Sequence, residues 1–284
     1  MRSRMPKLCW FFLAAGWSFG QWETKKWIHS DARHFSSAHM RFFLNSICPG
    51  HERASGCDVC PDGMASSAAG WDVRATLTGH FLSPSSEDTL VSGFGCEPHS
   101  NGFSGSFLFT RTGASWHRVR YVAGMTAFDC RKLKGSDRRD RLVCGAEDGG
   151  QGHFASFLYL LDPGLDRDDH RVFFAVEDTT GAGPLPDGVM QSGGIDRVEF
   201  VDLPGRPTHV RIIVTAHLGK AVVPADIVER RNSGLGEPPE IATVPRRYEF
   251  LFDGEKVLPG GSNPPLQGST AVVPLTSLRT AHPH

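Results

Sequence analysis

Two stretches of this chain repeat one another, and that repeat constrains the fold more than any other feature. Residues 87–110 read EDTLVSGFGCEPHSNGFSGSFLFT, and residues 139–160 read RDRLVCGAEDGGQGHFASFLYL. Asp88 falls on Asp140, Leu90 on Leu142, Val91 on Val143 and Gly93 on Gly145, an offset of 52. After a loop two residues shorter the offset is 50, with Gly102 on Gly152, Ser106 on Ser156 and FLF (107–109) on FLY (157–159). Each copy is built from short segments with β-branched or aromatic residues at period two, bounded by Gly, Pro, Ser or Asp, the signature of half-buried strands. WDVRATLTGHF, DTLVSGF, GSFLFTRTG and SWHRVRYVAG make four such strands from residue 71 onward, joined as a meander. With 32 Gly and 19 Pro in 284 residues, tight turns are plentiful enough to join them.

A third, degenerate unit starts at residues 195–219 and resumes at 247–257, where Glu249-Phe-Leu-Phe echoes Ser106-Phe-Leu-Phe. An insertion between these halves carries a short helix at residues 224–231 and a Gly/Pro-rich loop. A single four-stranded meander has two faces and cannot bury both, whereas stacked or fanned units share a core. The expected fold is therefore all-β: antiparallel four-stranded meander units repeated about three times, propeller-like but open, with a short helix in an insertion. The expected divisions are a signal peptide at 1–20, an irregular cysteine-containing segment at 21–62, a β-repeat domain at 63–257 and a disordered tail at 258–284. Within the irregular segment, a short helix is expected near residues 38–45 and a loop over CPGHERASGCDVCPDG.

The turn carrying Asp88-Thr-Leu-Val or Asp140-Arg-Leu-Val, the Gly-rich loop after it and the aromatic FLF strand resemble a blade of the FG-GAP or VCBS type of β-propeller, over residues 71–257. Blades of that type often carry a calcium loop of D-x-D-G-D-G form. The matching turns here read SPSSED and KGSDRRD, so the resemblance implies no calcium. Three units are fewer than the four or more of a closed propeller, which is why an open array is expected. The chain is also similar to secreted bacterial proteins of unknown function that share its GCEPHS and LVC layout, a likeness that implies no activity.

The N-terminus points to export. Arg2, Arg4 and Lys7 precede a ten-residue apolar run (8–17), then Ser18 and Gly20 stand at −3 and −1 before Gln21. This is the layout of a secretory signal, and the run is shorter than the roughly 20 residues a membrane-spanning helix needs. The mature chain is expected to be secreted or periplasmic, with no membrane span. Removing the leader takes Cys9 with it and leaves six cysteines, an even set that reads as disulfides in an oxidising compartment.

Cys130 and Cys144 each lie seven residues from Asp137. In a hairpin centred there they face each other at disulfide distance, and closing a loop of about 15 residues contributes about 3 kcal/mol in the chain-entropy treatment. Cys48, Cys57, Cys60 and Cys96 allow three pairings that sequence does not choose among. A bond from Cys96 to Cys57 or Cys60 would staple the irregular segment to the first sheet. The alternative is a zinc site on Cys57, Cys60, Cys96 and His99, whose two C-x-x pairs have ligand spacing but whose thiols oxidation would consume. Pro61 after Cys60 removes haem attachment, and no βαβ context supports a thioredoxin-like pair.

The equivalent loops CEPHSNGFSG and EDGGQGHF are expected to bring Glu97, His99, Glu147, Asp148 and His153 to one rim, where loops on a rigid β scaffold bind ligands; the plainer account is that they simply make turns with solvated charges. No catalytic residues are assigned and no cofactor is expected: GFSGS lacks the closing Gly of a nucleophile elbow, and no P-loop or dinucleotide fingerprint occurs. Lys plus Arg is 30 against 31 for Asp plus Glu, which removes the broad electrostatic case for nucleic acid. The basic run DRRDR (137–141) reads as a solvated hairpin tip and DPGLDRDDH (162–170) as a solvated acidic turn without the Gly and Glu of a calcium hand. The expected function is an exported, non-enzymatic binding or structural module for an unknown extracellular or surface partner. The alternative is a hydrolase-like enzyme using the rim Glu, His and Asp loops.

Overall fold

Period-two patterning becomes three antiparallel meanders in the computed structural model, which describes residues 27–28, 31, 37–61, 70–96, 105–123, 127–150, 152–165, 171–183, 188–224 and 240–261, with backbone only at 37–39, 123, 148 and 150. The leader, the insertion helix beyond Pro224 and the tail beyond Gly261 lie outside the described residues. Sheet A contains β1 (Glu52–Arg53), β2 (Gly56–Cys57), β3 (Trp71–Gly79), β4 (Asp88–Gly95), β5 (Gly105–Thr112) and β6 (Ser115–Ala123). Sheet B contains β7 (Cys130–Lys134), β8 (Asp140–Gly150), β9 (His153–Leu161) and β10 (Arg171–Asp178). Sheet C contains β11 (Val189–Leu203), β12 (Arg206–Val222), β13 (Val244–Phe252) and β14 (Val257–Pro259). Every hydrogen-bonded neighbour within a sheet is also the neighbour in sequence, so the chain is all-β with an open, repeat-like architecture.

The sheets are layered face to face. Leu90 and Leu108 of sheet A meet Leu142, Cys144, Tyr159 and Leu161 of sheet B in one core. Val143, Leu158 and Leu160 point from the other side of sheet B into a second core with Val198, Ile212 and Phe250 of sheet C. Sheet B is therefore covered on both faces, which is why ASFLYLL runs nearly continuously apolar instead of alternating. The far face of sheet A is covered by α1 (Ser37–Ile47). Met40, Phe43, Leu44 and Ile47 recur at helical spacing and form one apolar stripe, and Phe43 packs against Phe109 with ring centroids 4.6 Å apart. The stretch expected to be irregular thus contributes a core layer. Its loop also folds into the small β1–β2 hairpin, which extends sheet A through Cys57 opposite Trp71.

FLF, FLY and the second FLF lie on β5, β9 and β13, the third strands of the four-stranded units β3–β6, β7–β10 and β11–β14. The strand register differs from the sequence alignment in one place. Leu90 pairs with Leu108, whereas its counterpart Leu142 pairs with Leu161, three residues beyond the aligned Leu158. Pairing in β8–β9 persists to Gly150 opposite His153, and a two-residue connection with Gly152 at φ +84° closes it. The hairpin turn sets the register, and an odd slide puts the opposite side chains into the core. Tyr159 consequently faces sheet A, and Leu158 faces sheet C.

Residues 27, 28 and 31 form a strap that joins sheets B and C. Trp27 donates its N–H to Asp129 Oδ2 at 3.1 Å and accepts from Val198 N–H at 3.0 Å. Asp31 accepts the Lys132 N–H at 2.8 Å while its own N–H donates to Cys130 O. The Trp27 ring lies on Gly145, where a Cβ would come within 2.8 Å of it. At the other end, β14 carries the repeat domain to Pro259, two residues past the expected boundary, because Val257 and Leu258 pair with Phe252 and Leu251. Trp27→Ala is expected to cost about 3–5 kcal/mol by leaving a cavity between sheets B and C, read as a lower midpoint in urea-induced unfolding.

Candidate functional site

Strand direction assigns the loops to two rims. One rim carries the end of β4, the β8–β9 turn and the β10–β11 connection; the other carries the β3–β4, β7–β8, β9–β10 and β13–β14 connections. Of the five expected rim residues, Glu97 and His99 lie outside the described residues, and Asp148 is described only as the backbone partner of Ala155. Glu147 and His153 are both exposed. Glu147 sits opposite Ser156, and His153 opposite Gly150, three positions further along β8. An odd number of positions puts two side chains on opposite faces of a strand pair. The hairpin therefore holds Glu147 and His153 at one rim but does not bring them together.

The same rim holds a polar constellation that sequence spacing did not reveal. Asp178, the last residue of β10, reaches across to the edge of β11. Its Oδ1 accepts from Thr180 N–H at 2.8 Å, and its Oδ2 accepts from Ser192 Oγ at 3.3 Å and Gly193 N–H at 3.4 Å. On the neighbouring stretch of sheet C, Asp196 Oδ1 lies 2.6 Å from His217 Nδ1. The two residues are 21 apart in sequence and meet because a bulge between Ile195 and Arg197 adds Asp196 as an unpaired residue. Gly194, opposite His217, leaves room for the ring; a Cβ there would stand 3.0 Å from His217 Cε1. The paired glycines of SGGID were the only legible sign, since Gly inside a strand pattern marks a bulge or a close approach. With the carboxylate on Nδ1, the neutral imidazole carries its proton there and presents Nε2 as an acceptor.

The opposite rim corrects two expectations in part. Asp137 and Arg138 of DRRDR are exposed at the hairpin tip as expected, but Arg139 and Arg141 are not solvated, and neither is Asp162 at the start of DPGLDRDDH. Arg139 reaches Asp162 through two nitrogens at 3.1 Å each and Asp137 Oδ2 at 2.7 Å. Arg141 reaches Asp137 at 2.9 Å and Asp162 at 3.0 Å. The Arg141 and Asp162 side chains are only 10% and 11% exposed, so water does not hold these charges apart. The turn explains the arrangement: Arg138 stands at φ +65° between Asp137 and Arg139, and Asp137 Oδ1 also accepts the Arg139 N–H at 3.0 Å, which folds the carboxylate back towards Arg139 and Arg141. The cluster borders a hollow of about 280 Å³ that also touches Ser136, Leu160 and Glu255. Burial alone would raise the Asp137 carboxyl, but hydrogen bonds from Arg141 and Arg139 outweigh it and hold it down at about 2. Burial likewise works against the charged form of Arg139, yet Asp137 and Asp162 together raise it above its ordinary value.

The cysteines pair as Cys48–Cys57, Cys60–Cys96 and Cys130–Cys144. Cys130 stands directly opposite Cys144 in the β7–β8 ladder. Cys60–Cys96 staples the N-terminal segment to the end of β4. These bonds correct the zinc alternative, because Cys57, Cys60 and Cys96 are not thiolates, and its fourth residue, His99, lies outside the described residues. Three disulfides suit an oxidising compartment. Among the described residues no group of three His, Cys, Asp or Glu side chains is placed to hold a metal ion, and no helix is long and apolar enough to cross a membrane. No protein family, curated protein or solved structure matches the chain.

The Asp137 geometry predicts a pH dependence. A carboxyl whose folded pKa lies below its ordinary 3.8 adds stability above about pH 4 that is lost as pH falls through about 2. In urea unfolding, Asp137→Asn should be less stable than the parent at pH 5, and the difference should shrink towards zero by about pH 2. An unchanging difference would assign the effect to packing instead.

Proposed function

We propose that this chain is an exported binding or structural β-repeat protein that meets an extracellular or surface partner through the rim formed by the β8–β9 turn and the adjoining strand ends. The observation that supports this reading is the placement of Glu147 and His153. Both are exposed on a rigid hairpin, and they project to opposite faces. That arrangement spreads charge and hydrogen-bonding capacity over a surface, where catalysis would need groups within hydrogen-bond reach of one reacting atom. The leader at residues 1–20 and the disulfides together support export, with the mature chain starting at Gln21 in a secreted or periplasmic location.

A second reading has one observation in its favour. The Asp196 carboxylate orients His217, and an imidazole oriented in this way can act as a general base in a hydrolase-like enzyme. Ser192 on the neighbouring rung donates to Asp178, so in this reading the nucleophile is water.

Both readings are tested on the full chain expressed with its leader. Export predicts a product in the secreted or periplasmic fraction that begins at Gln21 and carries three disulfides in a non-reducing peptide map; an unprocessed cytosolic chain with free thiols would overturn it. The labelled mature protein is then applied to an array of cell-surface glycans and proteins beside the E147A/H153A double variant. Rim binding predicts retention that falls about tenfold or more in the variant. Hydrolysis of p-nitrophenyl acetate that disappears in His217→Ala and drops at least tenfold in Asp196→Asn would favour the enzyme instead.

A further inference from the structure

The three disulfides differ in what surrounds them. Cys130 and Cys144 are 0% exposed inside the core between sheets A and B. Cys48 and Cys57 are 3% and 0% exposed in the core under α1. In the third bond Cys96 is 0% exposed, but Cys60 is only partly buried at the edge of its core. Thiol–disulfide exchange requires an attacking thiolate to reach a sulfur, so access ranks the bonds before chemistry does. Cys60 is the half-cystine that a reductant in solution reaches without unfolding a core.

The backbone around Cys96 adds a second observation. Cys96 is one of two non-glycine residues with positive φ among those described, at +71°, and Gly95 before it stands at +121°. The Cys96 N–H donates to Gly70 O at 2.9 Å, and Gly70 itself is at +71°. A left-handed cysteine is strained, and its closed disulfide helps to hold it there. The reduced state is also accommodated. Cys96 Sγ lies 3.5 Å from Gly70 O, so the thiol formed on reduction has a hydrogen-bond acceptor already in place.

We propose that Cys60–Cys96 is a redox-sensitive strap that opens selectively in the folded protein and releases Cys60 from the end of β4, while the other two disulfides stay closed. The reductant is a dithiol, small or presented by a partner protein. One of its thiolates attacks Cys60 Sγ and forms a mixed disulfide, and Cys96 leaves as the thiolate and takes up a proton. The second thiol of the reductant displaces Cys60 in turn. The products are two cysteine thiols and the oxidised, cyclic reductant. Because Cys96 directly precedes the loop carrying Glu97 and His99, the strap sits where redox state and rim contacts meet, but the proposal does not depend on any rim ligand.

The test treats the native full chain with graded dithiothreitol, quenches with iodoacetamide and maps labelled peptides over time. Cys60 and Cys96 should label at least about tenfold faster than Cys48, Cys57, Cys130 and Cys144, with the β-sheet circular dichroism unchanged. Equal labelling of all six, or earlier labelling of either buried pair, would overturn the proposal. The C60S/C96S double variant should remain folded with its two remaining disulfides resistant to the same reductant. Loss of the sheet signal in that variant would show that the bond is an obligatory staple and not a switch.

Discussion

Aspartate carboxylates that accept main-chain N–H groups hold this fold together where backbone ladders do not reach. Hydrogen-bonded ladders run within each sheet, so the layers need other links. Asp140, at the head of β8, accepts the His80 N–H at 2.8 Å and donates its own N–H to His80 O, which ties sheet B to the β3–β4 loop of sheet A. Asp88, its counterpart at the head of β4, accepts from Phe81 and Leu82 N–H at 2.7 and 2.8 Å and closes the same loop from within. Asp129 holds the Trp27 strap, and Asp178 couples β10 to β11. Hydrogen bonds to a charged acceptor are shorter and stronger than neutral ones, and an ionised carboxylate can take several at once. Together with links such as Thr179 N–H to Gln191 O and Lys132 Nζ to Thr78 O, a few such residues fasten layers whose cores meet by apolar contact, which is strong but non-directional.

This explains why Asp88 and Asp140 stood out in the repeat even though neither belongs to a calcium loop. At both positions the carboxylate receives N–H donors from the β3–β4 loop. It also explains why charge composition was a poor guide to where charges sit. The near balance of 30 basic and 31 acidic residues is met locally, in the Arg139–Asp162 and Arg141–Asp137 pairs and in the linking aspartates. Removing one partner from a buried pair costs more than removing both, because the remaining charge is stranded.

Sequence revealed what depends on local periodicity and symmetry. Alternating segments became strands, the repeat became successive meanders, and the centre of the Cys130–Cys144 segment became the turn of a hairpin. It did not reveal what depends on distant meetings. The slide of β9 past β8 follows from a turn around Gly152, whose pairing register the alignment of Gly102 with Gly152 does not specify. The role of α1 was hidden because an eleven-residue amphipathic stretch has meaning only once sheet A offers Phe107 and Phe109 to cover. Asp196 and His217 meet only through a bulge, and Asp162 meets Arg139 and Arg141 only when β9 ends beside β8. DRRDR looked solvated because sequence shows the charges and not the carboxylate that answers them.

The two rims divide the work of the fold. Among the described residues of the Arg139 rim, Arg139 and Arg141 are answered by Asp137 and Asp162, and loops are tied by Asp88 and Asp140. At the β8–β9 rim, Glu147, His153 and the His217–Asp196 pair retain exposure. The disulfides follow the same gradient, from Cys130–Cys144 inside the A–B core to Cys60–Cys96 at the end of β4. A segment that must change state or meet a partner comes from the less stable end of a structure, because opening there costs less than global unfolding. Sheet B, covered on both faces, supplies the fixed frame of the fold. An exposed hairpin such as β8–β9 can therefore present side chains in a constant geometry.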